Sequence, residues 1–185
     1  MKAEMYSKTL HPRSSLAGFT LLELLIVLGI AGILAAIAGP GFQTMIKSSS
    51  VISGRDALAS AIKGARGQAI FDKTNVTICA SDNQASCSGT ADWSDGWIIF
   101  SDINGNATLD AGTDTLIDVN YGNDDLRVGT DGSGGTLTFT ASGIKTPVGA
   151  VIIGICDEDT SSSIEGHAMS ISSVGSLRYE GNPGC

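Results

Sequence analysis

An α+β fold, one long N-terminal helix packed on an antiparallel β-sheet or sandwich domain, is predicted by three observations on this 185-residue chain. Phe19 to Ala38 is an apolar run whose only charge is Glu23. Apolar residues then recur at helical steps as far as Phe71. From Asn75 onward the signals become short β-rich runs separated by Gly, Asn, Asp and Ser clusters. A helical segment followed by consecutive strands is the element order of an α+β domain, and no internal repeat interrupts it.

The twenty residues from Phe19 to Ala38 would span ~30 Å as a helix, the thickness of a bilayer's hydrocarbon core. Lys2, Lys8 and Arg13 precede them, so the positive-inside bias keeps the short N-terminus in the cytoplasm and places the rest outside. Gly39-Pro40-Gly41 are poor helix residues, expected to kink or locally melt the helix. Leu58, Ile62, Ala65 and Ala69 then follow at steps of four, three and four, with Arg55, Lys63 and Arg66 on other faces. This is the pattern of an amphipathic helix lying on a soluble domain. Lys47 to Gly54 is a weak helix former and is expected to fray. The helix therefore has a membrane half, 19–38, and an amphipathic half, 39–72, ahead of a β-rich domain, 73–185.

Strands are expected at 76–79, 97–100, 115–119, 136–140, 150–155 and 168–172, with Val174-Gly175 turning into 177–179. Cys79, Cys87, Cys156 and Cys185 form an even set in a segment that the topology puts outside the cytoplasm. Of three possible connectivities, Cys79–Cys87 and Cys156–Cys185 are favoured: the first closes a loop after a strand, the second pins the C-terminus to a central strand. Zinc is the rival, but there is no C-x₂-C, and His11 and His167 are isolated.

Glu23 is the odd residue of the apolar run, because a carboxylate inside a membrane helix is costly and is a functional candidate by default. Gly18-Phe19-Thr20-Leu21-Leu22-Glu23 resembles the processing motif of type IV prepilins and type II secretion pseudopilins. The resemblance implies a pilin-like fold and a leader, residues 1–18, removed by a prepilin peptidase between Gly18 and Phe19. It also implies N-methylation of Phe19, and pairing of Glu23 with the N-terminal amine of a neighbouring subunit. Pro40 would then be the twenty-second mature residue, where many pilins carry proline. A secretory signal is the rival reading, but the first 18 residues lack an apolar core and an A-x-A site. Without Lys2, Lys8, Arg13 and Glu4, the 11 basic and 19 acidic residues become 8 and 18, a net charge near −10.

The block Trp93-Ser94-Asp95-Gly96-Trp97-Ile98-Ile99-Phe100-Ser101-Asp102-Ile103-Asn104 resembles that of GspH/FimT-type minor pilins and pseudopilins. Its tryptophans are read as core anchors flanking a strand. Asp102, Asn104, Asn106 and Asp110 place oxygen side chains at alternating positions, as calcium loops do, with Gly105 one position early and Thr113 where an EF-hand has glutamate. The competing reading is a hairpin held by Asx turns.

No nucleophile–base set is visible, so an enzyme is not expected, nor is a cofactor. The resemblance implies a minor type IV pilin, a structural subunit that primes or caps the pilus. The alternative is a GspH-like minor pseudopilin of a type II secretion system. Its partners would be other pilin or pseudopilin subunits, the prepilin peptidase and the bacterial inner membrane, with the C-terminal domain in the periplasm. A FimT-like DNA receptor is the third reading. That group's C-terminal G-R-x-R would fall on Gly175-Ser176-Leu177-Arg178, where only Arg178 matches. An acidic chain also discourages phosphate binding.

Overall fold

The computed structural model describes residues 18–131, 135–161 and 163–182, with the side chains of 37–40 left out. The chain divides into two compact units, Met1–Gly41 and Phe42–Cys185. Helix α1 runs Leu21–Asp72, and its assignment continues through Gly39-Pro40-Gly41, the expected kink. It starts two residues later than the apolar run does. It ends where Lys73 adopts φ 54°, the left-handed conformation that terminates helices and is more often taken by glycine.

Nine strands follow among the described residues: β1 Val76–Ala80, β2 Trp97–Ser101, β3 Thr115–Asn120, β4 Leu126–Thr130, β5 Thr136–Phe139, β6 Lys145–Thr146, β7 Val151–Asp157, β8 His167–Ile171 and β9 Leu177–Glu180. They form one sheet of order β3-β2-β1-β5-β6 and another of order β4-β7-β8-β9. Every pairing is antiparallel, with Ile78 opposite both Ile99 and Leu137 in the first sheet and Ile153 opposite Met169 in the second.

One core joins both sheets to the helix. Val51, Leu58, Ala59, Ile62, Ala65 and Ala69 of α1 pack with Val76, Ile78, Leu137 and Phe139 of the first sheet. Val128, Ile153, Ile155, Met169 and Ile171 of the second sheet complete it. The helical periodicity of Leu58, Ile62, Ala65 and Ala69 is thus the buried stripe of α1. The far face of the first sheet carries a smaller cluster of Cys79, Ile98 and Phe100, capped by Cys87, Leu109 and Val119. Being covered on both faces, β1 and β2 read as nearly continuous apolar runs.

Three local features depart from expectation. Lys47 to Gly54 is helical rather than frayed, because Val51, 1% exposed, is seated in the core and packing outweighs weak propensity. Gly54 lies against Leu126: a Cβ there would be 2.4 Å from Leu126 Cδ1, and that side chain would have to shift. Strand β4 was not foreseen, since Arg127 and Gly129 dilute its pattern; only Leu126 and Val128 point inward. β6, two residues long, gave no sequence signal.

Candidate functional site

The N-terminal element comes first. Gly18, Phe19 and Thr20 precede the helix, and Phe19 is 82% exposed. A Cβ at Gly18 would meet nothing within 4 Å, so the fold itself does not require glycine there. The Leu24 N–H donates to the Thr20 carbonyl at 3.2 Å, and the Glu23 N–H donates to Thr20 Oγ1 at 3.2 Å. Leu21, Leu22, Leu24, Leu25, Ile26, Val27, Leu28 and Ile30 are all exposed, an apolar surface with no cover. Glu23 lies among them, in the first turn and exposed. No single helix among the described residues is long and apolar enough to cross a membrane; Leu21–Ala36 and Gly41–Asp72 meet the length and composition of a span only when taken together.

The tryptophan block builds the join between the two sheets. Trp97 belongs to β2, while the Trp93 N–H donates to the Val128 carbonyl of β4 at 2.7 Å. Their rings sit 6.5 Å apart and tilted by 43°, and both are buried in the core, as anchors should be. Between them, Gly96 takes φ 115°, and a Cβ there would lie 2.1 Å from the Asn120 carbonyl oxygen. Only glycine permits this approach. An open cleft of about 420 Å³ runs beside Trp93 and Trp97, walled by Ser49, Ser53 and Ala57 of α1.

Cys79 and Cys87 are disulfide-bonded, eight residues apart, as expected. Cys156 is also in a disulfide; its expected partner, Cys185, lies outside the described residues, as do Lys2, Lys8, Arg13 and His11. No cysteine among the described residues is free.

The structure brings Asp102, Asn104, Asn106 and Asp110 together, but their oxygens are turned to the protein. Asp102, fully buried, accepts from the Thr77 hydroxyl at 2.8 Å and from the N–H groups of Asn106 and Ala107. Thr77 also bonds Thr138 at 2.6 Å, so the acid ties this loop to β1 and β5. The Asn104 and Asn106 amide groups both donate to Asp110. The side-chain Oδ1 atoms of Asn104 and Asn106 accept the backbone N–H groups two residues on. Among the described residues, no three His, Cys, Asp or Glu are grouped to hold a metal.

A second charged cluster leaves no local mark in the sequence, because Lys47 and Asp159 are 112 residues apart. Lys47 Nζ lies 3.2 Å from Asp159 and 3.5 Å from Asp157. The Ser161 hydroxyl and N–H both donate to Asp159, and with Lys47 they hold its carboxyl at about 2. Lys47 is pushed above its usual 10.5, the Asp159 hydrogen bond first among the causes. Arg178 sits exposed on β9, opposite Ser170; Glu180, two residues on, shares its face and accepts from the Ser170 hydroxyl.

Two crystal forms of the type IV minor pilin FimU of Pseudomonas aeruginosa resemble this chain in fold. They are 22% and 21% identical, with TM-scores of 0.53 and 0.56, over 69% and 71% of this chain and 90% and 89% of theirs. The minor pseudopilin EpsH of the Vibrio cholerae type II secretion system is 12% identical, with a TM-score of 0.47, over 72% of this chain and 97% of its own. No curated protein matches. The model of a prokaryotic N-terminal methylation motif matches residues 13–39. The model of the type II transport protein GspH matches residues 55–175, from the amphipathic half of α1 to the turn before β9. The chain belongs to the GspH family, with a pilin-like fold and an N-terminal methylation motif.

Proposed function

We propose that the protein is a minor type IV pilin, a non-catalytic subunit that helps start or cap a filament with other pilin subunits. The observation that carries this reading is Gly18. A Cβ there would meet nothing within 4 Å, yet glycine stands just ahead of a capped apolar helix in a methylation motif. A glycine that the fold does not need is explained by an enzyme that must approach the backbone closely. A prepilin peptidase would cut between Gly18 and Phe19 and methylate the new amine of Phe19. Before assembly the chain would cross the bacterial inner membrane once, N-terminus in the cytoplasm and residues 73–185 in the periplasm, where Cys156 would pair with Cys185. In the filament's apolar interior, Glu23 would receive the Phe19 amine of a neighbouring subunit. The Asp102–Asp110 loop serves as a hairpin brace rather than a calcium site, since its carboxylates already hold protein donors.

The family's own description favours a second reading, a minor pseudopilin of type II secretion. The pilus reading is supported by FimU, a type IV minor pilin similar in fold over most of its length. The paired cysteines lean the same way by analogy only. DNA capture is not proposed: Arg178 shares its face with Glu180, and the processed chain carries about −10.

Mass spectrometry of the protein recovered from sheared filaments tests processing, with N-methylphenylalanine expected at residue 19 and an intact leader sinking the reading. A deletion strain separates the two systems: loss of surface pili with normal protein secretion supports the first, and the reverse supports the second.

A further inference from the structure

Helix α1 starts at Leu21, and its first intrahelical bond, from the Leu24 N–H, ends on the Thr20 carbonyl. Thr20 is therefore the N-cap, and its hydroxyl takes up the Glu23 N–H, a donor that the helix itself leaves orphaned. Thr20-Leu21-Leu22-Glu23 has the spacing of a capping box, threonine at the cap and glutamate three residues on. We propose that Thr20 is a positioning residue for Glu23: its cap fixes the first turn, and with it the height and direction at which the carboxylate leaves the helix. The proposal rests on the docking role given to Glu23 above.

The physical case is strongest in an apolar setting. In water, an uncapped turn can hydrogen-bond to solvent and fray at little cost. In lipid or a filament core no solvent replaces the lost partner, so an unfilled N–H must find another acceptor or unwind the turn. Leu21, Leu22, Leu24 and Leu25 around Glu23 offer no side-chain acceptor. Thr20 is the nearest such acceptor in the chain, and processing leaves only Phe19 ahead of it. An amine one residue from a fixed cap and a carboxylate at the third helical position then keep a set axial offset. Two subunits pair their charges only if that offset is the same in each.

Three variants test this in the full-length processed protein. Thr20→Val keeps the shape and β-branch and removes the acceptor, Thr20→Ser restores a hydroxyl, and Thr20→Asn caps with different geometry. Amide hydrogen exchange in bilayer discs should quicken at Glu23 by roughly fivefold or more in the valine variant, while serine and asparagine stay near wild type. Incorporation into filaments, measured against the membrane pool, should fall in valine and recover in serine and asparagine. Unchanged exchange at Glu23 in Thr20→Val would overturn the proposal, as would equal loss of incorporation in asparagine and valine. Faster exchange with wild-type incorporation, alongside a defective Glu23→Ala, would also overturn it and leave the docking role standing. Wild-type incorporation of Glu23→Ala would remove both.

Discussion

Arg66 Nε donates to the carbonyl of Gly143 at 3.0 Å, joining the C-terminal end of α1 to the turn after β5 across 77 residues. The turn before β9 closes on the same pair. A Cβ on Gly175 would lie 2.6 Å from Arg66 Nε and 2.8 Å from the Gly143 oxygen. One guanidinium thus sits where the helix, a turn of the first sheet and a turn of the second meet.

Gly175→Ala should therefore be among the more damaging small substitutions in the β domain. Gly175 has φ 72°, and backbone as well as side-chain atoms stand in the way of a methyl group. A loss of ~1–3 kcal/mol is expected from strain and displacement together. Arg66→Met, which keeps the aliphatic stem and drops the hydrogen bond, should cost about 1 kcal/mol. Urea unfolding of a fragment from Phe42 onward measures both, and a wild-type midpoint for Gly175→Ala would show that the two turns can part freely.

Replacing both Cys79 and Cys87 by alanine should destabilise the same fragment by ~2–3 kcal/mol, the loop-closure value for so short a ring. Cys79 is also fully buried beside Ile98 and Phe100, so the change opens space in the smaller core. The expected signature is a lower urea midpoint together with faster exchange of β1 amides near Cys79.

The Lys47 cluster should give a pH-dependent contribution at the acid end. Asp159 is held at about 2 in the folded chain against an ordinary 3.8, so its ionised form favours folding. That stability is complete above pH ~4 and disappears as pH falls through ~2. Both partners are substantially exposed, and salt screens the effect. The unfolding midpoint of Lys47→Met should lie below wild type at pH 5, and the gap should shrink as pH falls through ~2. A gap that persists unchanged at pH 2 would assign it to lost packing instead of charge.

Glu23→Ala should still insert and still be cleaved after Gly18, because the change makes the span more apolar and leaves the cut site alone. Incorporation is what should fail. An uncompensated buried amine costs ~3–5 kcal/mol, which corresponds to more than a hundredfold loss in sheared filaments relative to the inner membrane pool. Glu23→Gln should do nearly as badly, since it keeps the shape without the charge.

The sequence alone determined the parts of this protein that depend on local pattern. The apolar run from Phe19 places the start of α1 to within two residues, and Leu58, Ile62, Ala65 and Ala69 name its buried stripe. β-branched runs between Gly and Asn clusters locate most strands, and Cys79–Cys87, the favoured pairing among three, is the one formed. The tertiary structure decided whatever depends on residues far apart in the chain. Asp102 fits either a calcium loop or an Asx-turned hairpin, because alternation of oxygens is all that sequence shows; the fold buries it against the Thr77 hydroxyl. Lys47 to Gly54 looked weak because propensity is local, and Val51 is held by the core. Strand β4, with two inward residues, exists because the Trp93 N–H and β7 supply its partners. Local hydrogen bonds and periodicity are written in adjacent residues, whereas burial is a property of what folds back over them.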